Sequence, residues 1–203
     1  MKIAVLGAGN IGGSLGQKWA KAGHKVVFGV RDPASPKVES QLANTSGRAT
    51  ARLVSEAIVH SEVVLFAIPH SAVSGVVQQH ADALDGKLLI DATNAFFTPA
   101  VSNIDAIHSA APNAKLYRAF NALGWESFAN PDYGSTIPDL FYCGTPGSSQ
   151  MTMQTLITQV GLRPIYLGGL ELTPVVDALG TLWITLATRQ GWGRGIALKL
   201  IER

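Results

Sequence analysis

Lys2-Ile3-Ala4-Val5-Leu6-Gly7-Ala8-Gly9-Asn10-Ile11-Gly12 is the stretch on which the fold turns. The run Lys2–Leu6 is short, mostly apolar and stopped by glycine, as expected of a strand buried on both faces of a parallel sheet. Gly7, Gly9 and Gly12 then fall in a GxGxxG pattern, and a helical pattern opens at once, over 12–22. A glycine triplet alone says little. Set between a strand and a helix, it predicts a phosphate loop: Gly7 for the tight turn, Gly9 for close approach of a pyrophosphate, Gly12 for helix–strand packing. The anion would lie at the helix N-terminus, where unpaired N–H groups and the helix dipole favour negative charge.

Outward from this loop the same rhythm continues. Apolar runs at 25–29, 63–68, 88–91, 116–120, 140–143 and 164–167 read as strands, with helices over 52–60, 71–83 and 148–160 between them. Gly23 is placed to end the first helix and Ser71 to begin a later one. This alternation predicts an α/β fold, Rossmann-like and doubly wound, with a mainly parallel sheet. After Thr173 the pattern changes. Val175, Val176, Leu179, Leu182, Trp183 and Leu186 recur at helical spacing. The glycines around Trp192 break that helix before a short last one over 196–201. The expected organisation is a dinucleotide-binding domain over 1–170 and a small C-terminal helical extension over 171–203, packed on the domain or on a second subunit.

Composition narrows the function classes. The chain has 203 residues, 47% hydrophobic and 15% charged, enough for a substantial core and too apolar for global disorder. Sixteen Lys and Arg against 14 Asp and Glu give a net charge of +2, and the basic residues are scattered along the chain. No nucleic-acid or membrane partner is expected. The opening strand reaches Gly7 too soon for a signal peptide, and polar residues interrupt the C-terminal apolar stretch. A single cysteine, Cys143, lies in what reads as a buried strand. It suits a reducing compartment and an inert core thiol, so the cytoplasm is the expected location.

The second strand ends Phe28-Gly29-Val30-Arg31-Asp32-Pro33, with Arg31 lying 24 positions after Gly7. Near this point NAD-binding folds place an acid on the ribose 2′-hydroxyl, whereas a guanidinium grips a 2′-phosphate. Asp32 is the competing residue, but Pro33 turns the chain just after it, and the reading favours NADP(H). Ligands of open α/β sheets lie beyond the carboxyl ends of strands. That makes Ile68, Pro69 and His70, then Asn94 and Ala95, then Asn121 and Ala122 candidate cofactor contacts. Asn94 and Asn121 have the chemistry to bond ribose or carboxamide, or to serve as turn formers. His70 reads as a loop residue beside the cofactor more readily than as a general acid, since no second ionisable group accompanies it. No catalytic side chain and no metal-ligand cluster is read from the sequence.

These features, with the final helix pair, resemble the NADPH-dependent reductases of the deazaflavin coenzyme (F-420). The cytosolic reductase domain of the membrane metalloreductases is similar. The resemblance extends over nearly the whole chain and includes Ser127-Phe128-Ala129-Asn130 and Arg189-Gln190-Gly191-Trp192-Gly193. It implies that Ala8, Gly9, Asn10 and Ile11 hold the pyrophosphate and that Val30 and Arg31 face the 2′-phosphate. Ile68, Asn94 and the loop 122–125 would approach the nicotinamide. It further implies hydride transfer between the nicotinamide and a deazaflavin or flavin ring, a small-molecule acceptor or donor, without an acid–base residue. Two departures stand out: Val30 lacks the hydroxyl often found before the arginine, and the loop 121–125 differs from the deazaflavin enzymes. A redox-sensing NADP(H)-binding module and a small imine reductase are the rival readings. The latter needs a proton donor, for which Tyr117, Tyr133 and His70 are the loose candidates. Trp183 and Trp192 offer walls for a second ring or plain packing, and the stripe from Val175 to Leu186 suits a homodimer as well as a core.

Overall fold

Strand β1 (Lys2–Leu6) is an inner strand, third in order, of an eight-stranded sheet in a computed structural model that describes all residues, Met1–Arg203. The elements that follow are α1 (Asn10–Lys21), β2 (Lys25–Val30), α2 (Pro36–Ala43), β3 (Ala49–Leu53) and α3 (Val54–Val59). Then come β4 (Val63–Phe66), α4 (His70–Gln79), α5 (Ala81–Leu84), β5 (Leu88–Asp91) and α6 (Ile104–Ala110). The second half holds β6 (Lys115–Arg118), α7 (Trp125–Ala129), β7 (Asp139–Gly144), α8 (Ser149–Val160), β8 (Arg163–Tyr166) and α9 (Thr173–Ile184). The strand order is β3-β2-β1-β4-β5-β6-β7-β8. Every neighbouring pair is parallel except β6 and β7. The order reverses between β1 and β4, which is where such sheets bind ligands.

Alternation along the strands builds two cores. Ile3 and Val5 face a cluster made with Leu15 and Trp19 of α1, Leu156 and Ile157 of α8, and Trp183 of α9. Ala4 and Leu6 face the opposite cluster, made with Ile58 of α3, Val73 and Val77 of α4, and Ile107 of α6. A period of two on strands covered on both sides produces this division. Trp19 also donates its indole N–H to the Leu156 carbonyl at 3.0 Å, tying α1 to α8.

The structure corrects three expectations. Residues 49–53 form a strand that takes in Arg52 and Leu53, so the helix expected over 52–60 begins only at Val54, and α2 precedes the strand. As the sheet edge, β3 keeps its polar residues outward and shows no apolar run. The helix expected over 71–83 is two helices parted at His80. The expected last helix over 196–201 is absent. Those residues run extended beside the start of β7: Asp139 donates its N–H to Leu198 O at 3.0 Å, and Leu200 donates its own to Asp139 Oδ2 at 2.6 Å. An apolar spacing that fits a helix is overruled by this tertiary pairing.

Helical residues are continuous from Leu170 to Arg189, through a 3₁₀ turn, α9 and a closing π turn. Thr181, Thr185 and Thr188 each donate a hydroxyl to the carbonyl four residues back, and Gln190 N–H reaches Thr185 O, five back. Such back-bonding competes with the regular ladder and accompanies the wider turn. The 20-residue run is long and apolar enough, by length and composition, to cross a membrane. Its inner side, including Val176, Gly180, Trp183 and Ala187, is buried against the sheet domain.

Candidate cofactor and active site

The loop after β1 is shaped by backbone and little else. Gly7 has φ +101°, and a Cβ there would lie 2.6 Å from Ala67 O, so the turn requires glycine twice over. At Gly12 a Cβ would collide with Gly7 O. Gly9 is different. Its φ of −77° suits any residue, and a Cβ would meet no protein atom within 4 Å. No contact within the protein calls for glycine there, and the space beside it would admit a group approaching the backbone. Helix α1 begins at this point with no side-chain cap and no acid in its first turn, so its N–H groups are available to an anion. Among the other predicted contacts of the loop, Ala8 is buried, Ile11 half-buried and Asn10 exposed.

At the end of β2, Val30 is half-buried against the first core and Arg31 is exposed, without an ion pair or hydrogen bond of its side chain. Asp32 is committed elsewhere: its Oδ1 accepts the Ala34 N–H at 3.1 Å in the turn before α2. Geometry thus separates two neighbours that sequence leaves in competition. The guanidinium is free for a phosphate, while the carboxylate caps its own turn.

Across the switch point, Ile68 approaches Gly7, Pro69 precedes α4, and His70 is its first residue. His70 donates Nε2–H to Ser102 O at 3.3 Å and accepts Asn103 Nδ2 on its own carbonyl. Its ring therefore joins loops.

The ends of β5 and β6 are organised by a residue the sequence reading passed over. Arg118 is fully buried. Its Nε donates to Asp177 Oδ1 at 2.7 Å, Nη1 to Thr93 O at 2.6 Å and Asp91 O at 3.1 Å, and Nη2 to Asn94 Oδ1 at 2.7 Å. The Asp91 carboxylate, 3.5 Å from Nη1, is itself held by Thr93 and by Asn103 N–H. Asn94 then passes its amide N–H to Asn121 O at 2.9 Å, and Asn121 Nδ2 reaches Val176 O at 3.2 Å on α9. The one local signal was an arginine inside the apolar run Leu116–Phe120. A buried guanidinium must be paired, and its partners are far off in sequence.

One atom of this network lacks a partner: Asn121 Oδ1 is buried without a hydrogen bond. It follows Phe120, a non-glycine residue at φ +62°, and Phe97 in the facing loop stands at +64°. Such conformations cost about 1–3 kcal/mol each and gather at functional sites. Ala95 N–H bonds Val101 O at 2.9 Å, closing the loop that carries Phe97, and Arg189 at the end of the helical run lies 3.9 Å over the Phe97 ring. Ala122 is buried beside Asn121. Trp183 is core, its indole donating to Ile196 O at 2.9 Å, with Arg194 over its ring. Trp192 is 66% exposed and walls no site within this chain.

Residues 2–95 match the family model described as NADP oxidoreductase, coenzyme F420-dependent. Over that stretch the chain is similar to this family. It is 27% identical over 183 residues to metalloreductase STEAP3 of Rattus norvegicus, covering 88% of this chain and 36% of that protein. The chain thus spans about a third of the curated relative. An Arthrobacter sp. FB24 protein assigned as an F420-dependent NADP-reductase superposes with TM-score 0.86 at 23% identity, over 100% of both chains. A reductive aminase from Aspergillus terreus, solved in complex with NADPH, superposes with TM-score 0.64 at 17% identity, over 94% of this chain and 61% of the longer one. At these identities the two structures establish a shared fold. The matching model describes NADP-dependent oxidoreductases. The glycine cradle, the uncapped helix and the free Arg31 fit NADP(H).

Proposed function

We propose that this oxidoreductase moves hydride between NADPH and a deazaflavin or flavin-like acceptor by direct ring-to-ring transfer. When bound, the nicotinamide supplies the hydride. The loop Gly7–Gly12 would seat the pyrophosphate, and Arg31 would take the 2′-phosphate with charge-assisted hydrogen bonds. Asn121 Oδ1 would accept from the carboxamide, held in place through Asn94 and Arg118. Orientation is the protein's contribution.

The observation that carries this reading is where the candidate proton donors stand. His70 is turned to Ser102 O, Tyr117 donates to Thr145 O at 2.6 Å and meets Ser149 Oγ, and Tyr133 meets Ser127 Oγ at 2.7 Å. Burial pushes the Tyr117 hydroxyl above its ordinary value, away from proton transfer at neutral pH. A ring acceptor takes hydride without such a donor, whereas an imine requires one. The test is anaerobic: NADPH absorbance is followed as deazaflavin coenzyme, riboflavin and FMN are each added. Rapid oxidation with one of them supports the proposal and names the ring. Tight NADPH binding without turnover on any would overturn it in favour of the redox sensor.

Two further parts of the reading concern setting. Val175, Ala178 and Leu182 leave an exposed apolar stripe on α9, which suits a second copy of the chain. Leu182→Lys would then halve the mass measured by light scattering. Cys143 is a free, buried thiol whose pKa is raised by burial, consistent with work in a reducing cytoplasm.

A further inference from the structure

The register of the first three strands assembles a basic cleft whose central row lies at the opposite end of β1 from the phosphate loop. Lys2 lies directly beside Lys25 in the β1–β2 pairing. Arg48 comes next in the same row, since its carbonyl accepts Val26 N–H and its successor Ala49 pairs with Val26. Arg52 follows on the same face of β3, paired with Gly29, so it lies level with the end of β1 but two strands away from it. His24 and His60 complete the lining of a cleft of about 640 Å³. The row starts about 13 Å from the phosphate loop, the length of β1 at 3.3 Å per residue.

This arrangement is costly as it stands. Neighbouring strands lie about 4.8 Å apart, and like charges directly opposite one another are destabilising. Four of the chain's 16 Lys and Arg converge here, and no carboxylate lines the cleft. None of the four enters an ion pair; the paired cations are Arg118, Arg163, Arg194 and Lys199. Glu62, near Lys2, is engaged by the Lys2 backbone N–H at 2.7 Å. Nor does the folding core need these side chains, which are exposed. Residues scattered in sequence become a concentrated field through strand register alone. The volume falls within the ~300–1,000 Å³ of small-molecule sites, and guanidinium and ammonium groups together are the donors of oxyanion recognition.

We propose that this cleft binds a small multivalent oxyanion, a diphosphate or a polycarboxylate, at a site separate from the cofactor's. The ligand neutralises the Lys2–Lys25–Arg48 row and so stabilises the β1–β2–β3 half of the sheet. Its binding energy is available to bias the elements that rest on that half, including α3.

The test uses the full chain saturated with NADP⁺, so that the glycine loop is filled. Calorimetric titration with inorganic pyrophosphate, and separately with citrate, is expected to give one saturable site, weakened by added salt. The tighter of the two probes identifies the oxyanion class. Arg48→Ser with Arg52→Ser should weaken binding by about tenfold or more, the scale of losing hydrogen bonds to a charged group. Lys25→Gln should raise the melting temperature of the free protein and shrink the upward shift that pyrophosphate causes. Absence of saturable binding to the NADP⁺-saturated chain, or binding indifferent to the Arg48 and Arg52 changes, would overturn the proposal. Running the titration on Gly9→Val, whose cofactor seat is filled by a side chain, keeps the result independent of whether NADP⁺ binds as proposed.

Discussion

The two halves of the candidate site are made by different means. At the β1 end, the proposed seat for phosphate is backbone: a turn at Gly7, open space at Gly9 and the uncapped start of α1. At the β5 and β6 ends, the seat is a side-chain lattice in which Arg118 joins Asp91, Asn94 and Asp177. The first half stands on residues close together in sequence. The second unites residues 91, 94, 118, 121 and 177, and the fold must be complete before it exists. Backbone seats suit a group common to many cofactors, whereas a buried polar lattice fixes one geometry at high risk if any member is lost.

The sharpest way to break this contrast is Arg118→Met. It strands Asp91, fully buried, and Asp177, largely buried, without their cation and should cost about 3–5 kcal/mol of stability in urea unfolding. At a temperature where the variant is folded, adenosine 2′,5′-bisphosphate, which would occupy only the half made by the glycine loop and Arg31, should bind it as it binds the parent chain. Arg31→Ala should do the opposite. We expect NADPH affinity to fall by about 1.5–3 kcal/mol with NADH and the unfolding midpoint nearly unchanged. Equal losses for both cofactors would remove the 2′-phosphate from this arginine. Gly9→Val should weaken NADPH by about 1–3 kcal/mol through overpacking. Because a Cβ there meets no protein atom, the cost to stability should stay within about 0.5 kcal/mol.

Acid should separate the far edge of the sheet from both halves, with the smallest effect. Burial raises the Asp139 carboxyl, but hydrogen bonds from Arg163, the Leu200 N–H and Lys199 outweigh it, so the group is held below its ordinary value of 3.8. A depressed folded pKa contributes stability that is fully present above the unfolded value and disappears as pH falls through the folded one. Melting temperature followed from pH 6 to pH 3 should therefore drop at the acid end. Asp139→Asn, starting from a lower value, should flatten that limb. An unchanged acid limb in the variant would place the sensitivity in other carboxylates.

What was legible in the sequence follows the same division. Strand β1, the loop and α1 were readable because their signals are adjacent: apolar run, glycines, helical pattern. Arg31 was readable as a position, yet its contest with Asp32 needed the Ala34 hydrogen bond to resolve it. Strand β3 escaped notice because an edge strand need not be apolar on its outer face. Arg118 escaped because a strand reading of Leu116–Phe120 predicts burial but not the distant carboxylates that make burial of a charge tolerable. Residues 196–201 misled in the other direction. Their apolar spacing suits a helix, but the Asp139 carboxylate and backbone take their amides and carbonyls instead.

The extended C-terminal segment gives the sheet a late step in assembly. Strands β1 to β6 can pair from the first 118 residues. The Asp139 carboxylate at the head of β7 finds Arg163 24 positions later and Leu200 only 61 positions later. On a ribosome, the phosphate half would be formed while that carboxylate still awaits its partners. A chain stalled short of residue 196 would expose the Trp183 indole, the Arg163–Asp139 pair and the open start of β7 together. The terminal segment therefore acts as a late clasp on the start of β7, closing over groups that the earlier strands leave open.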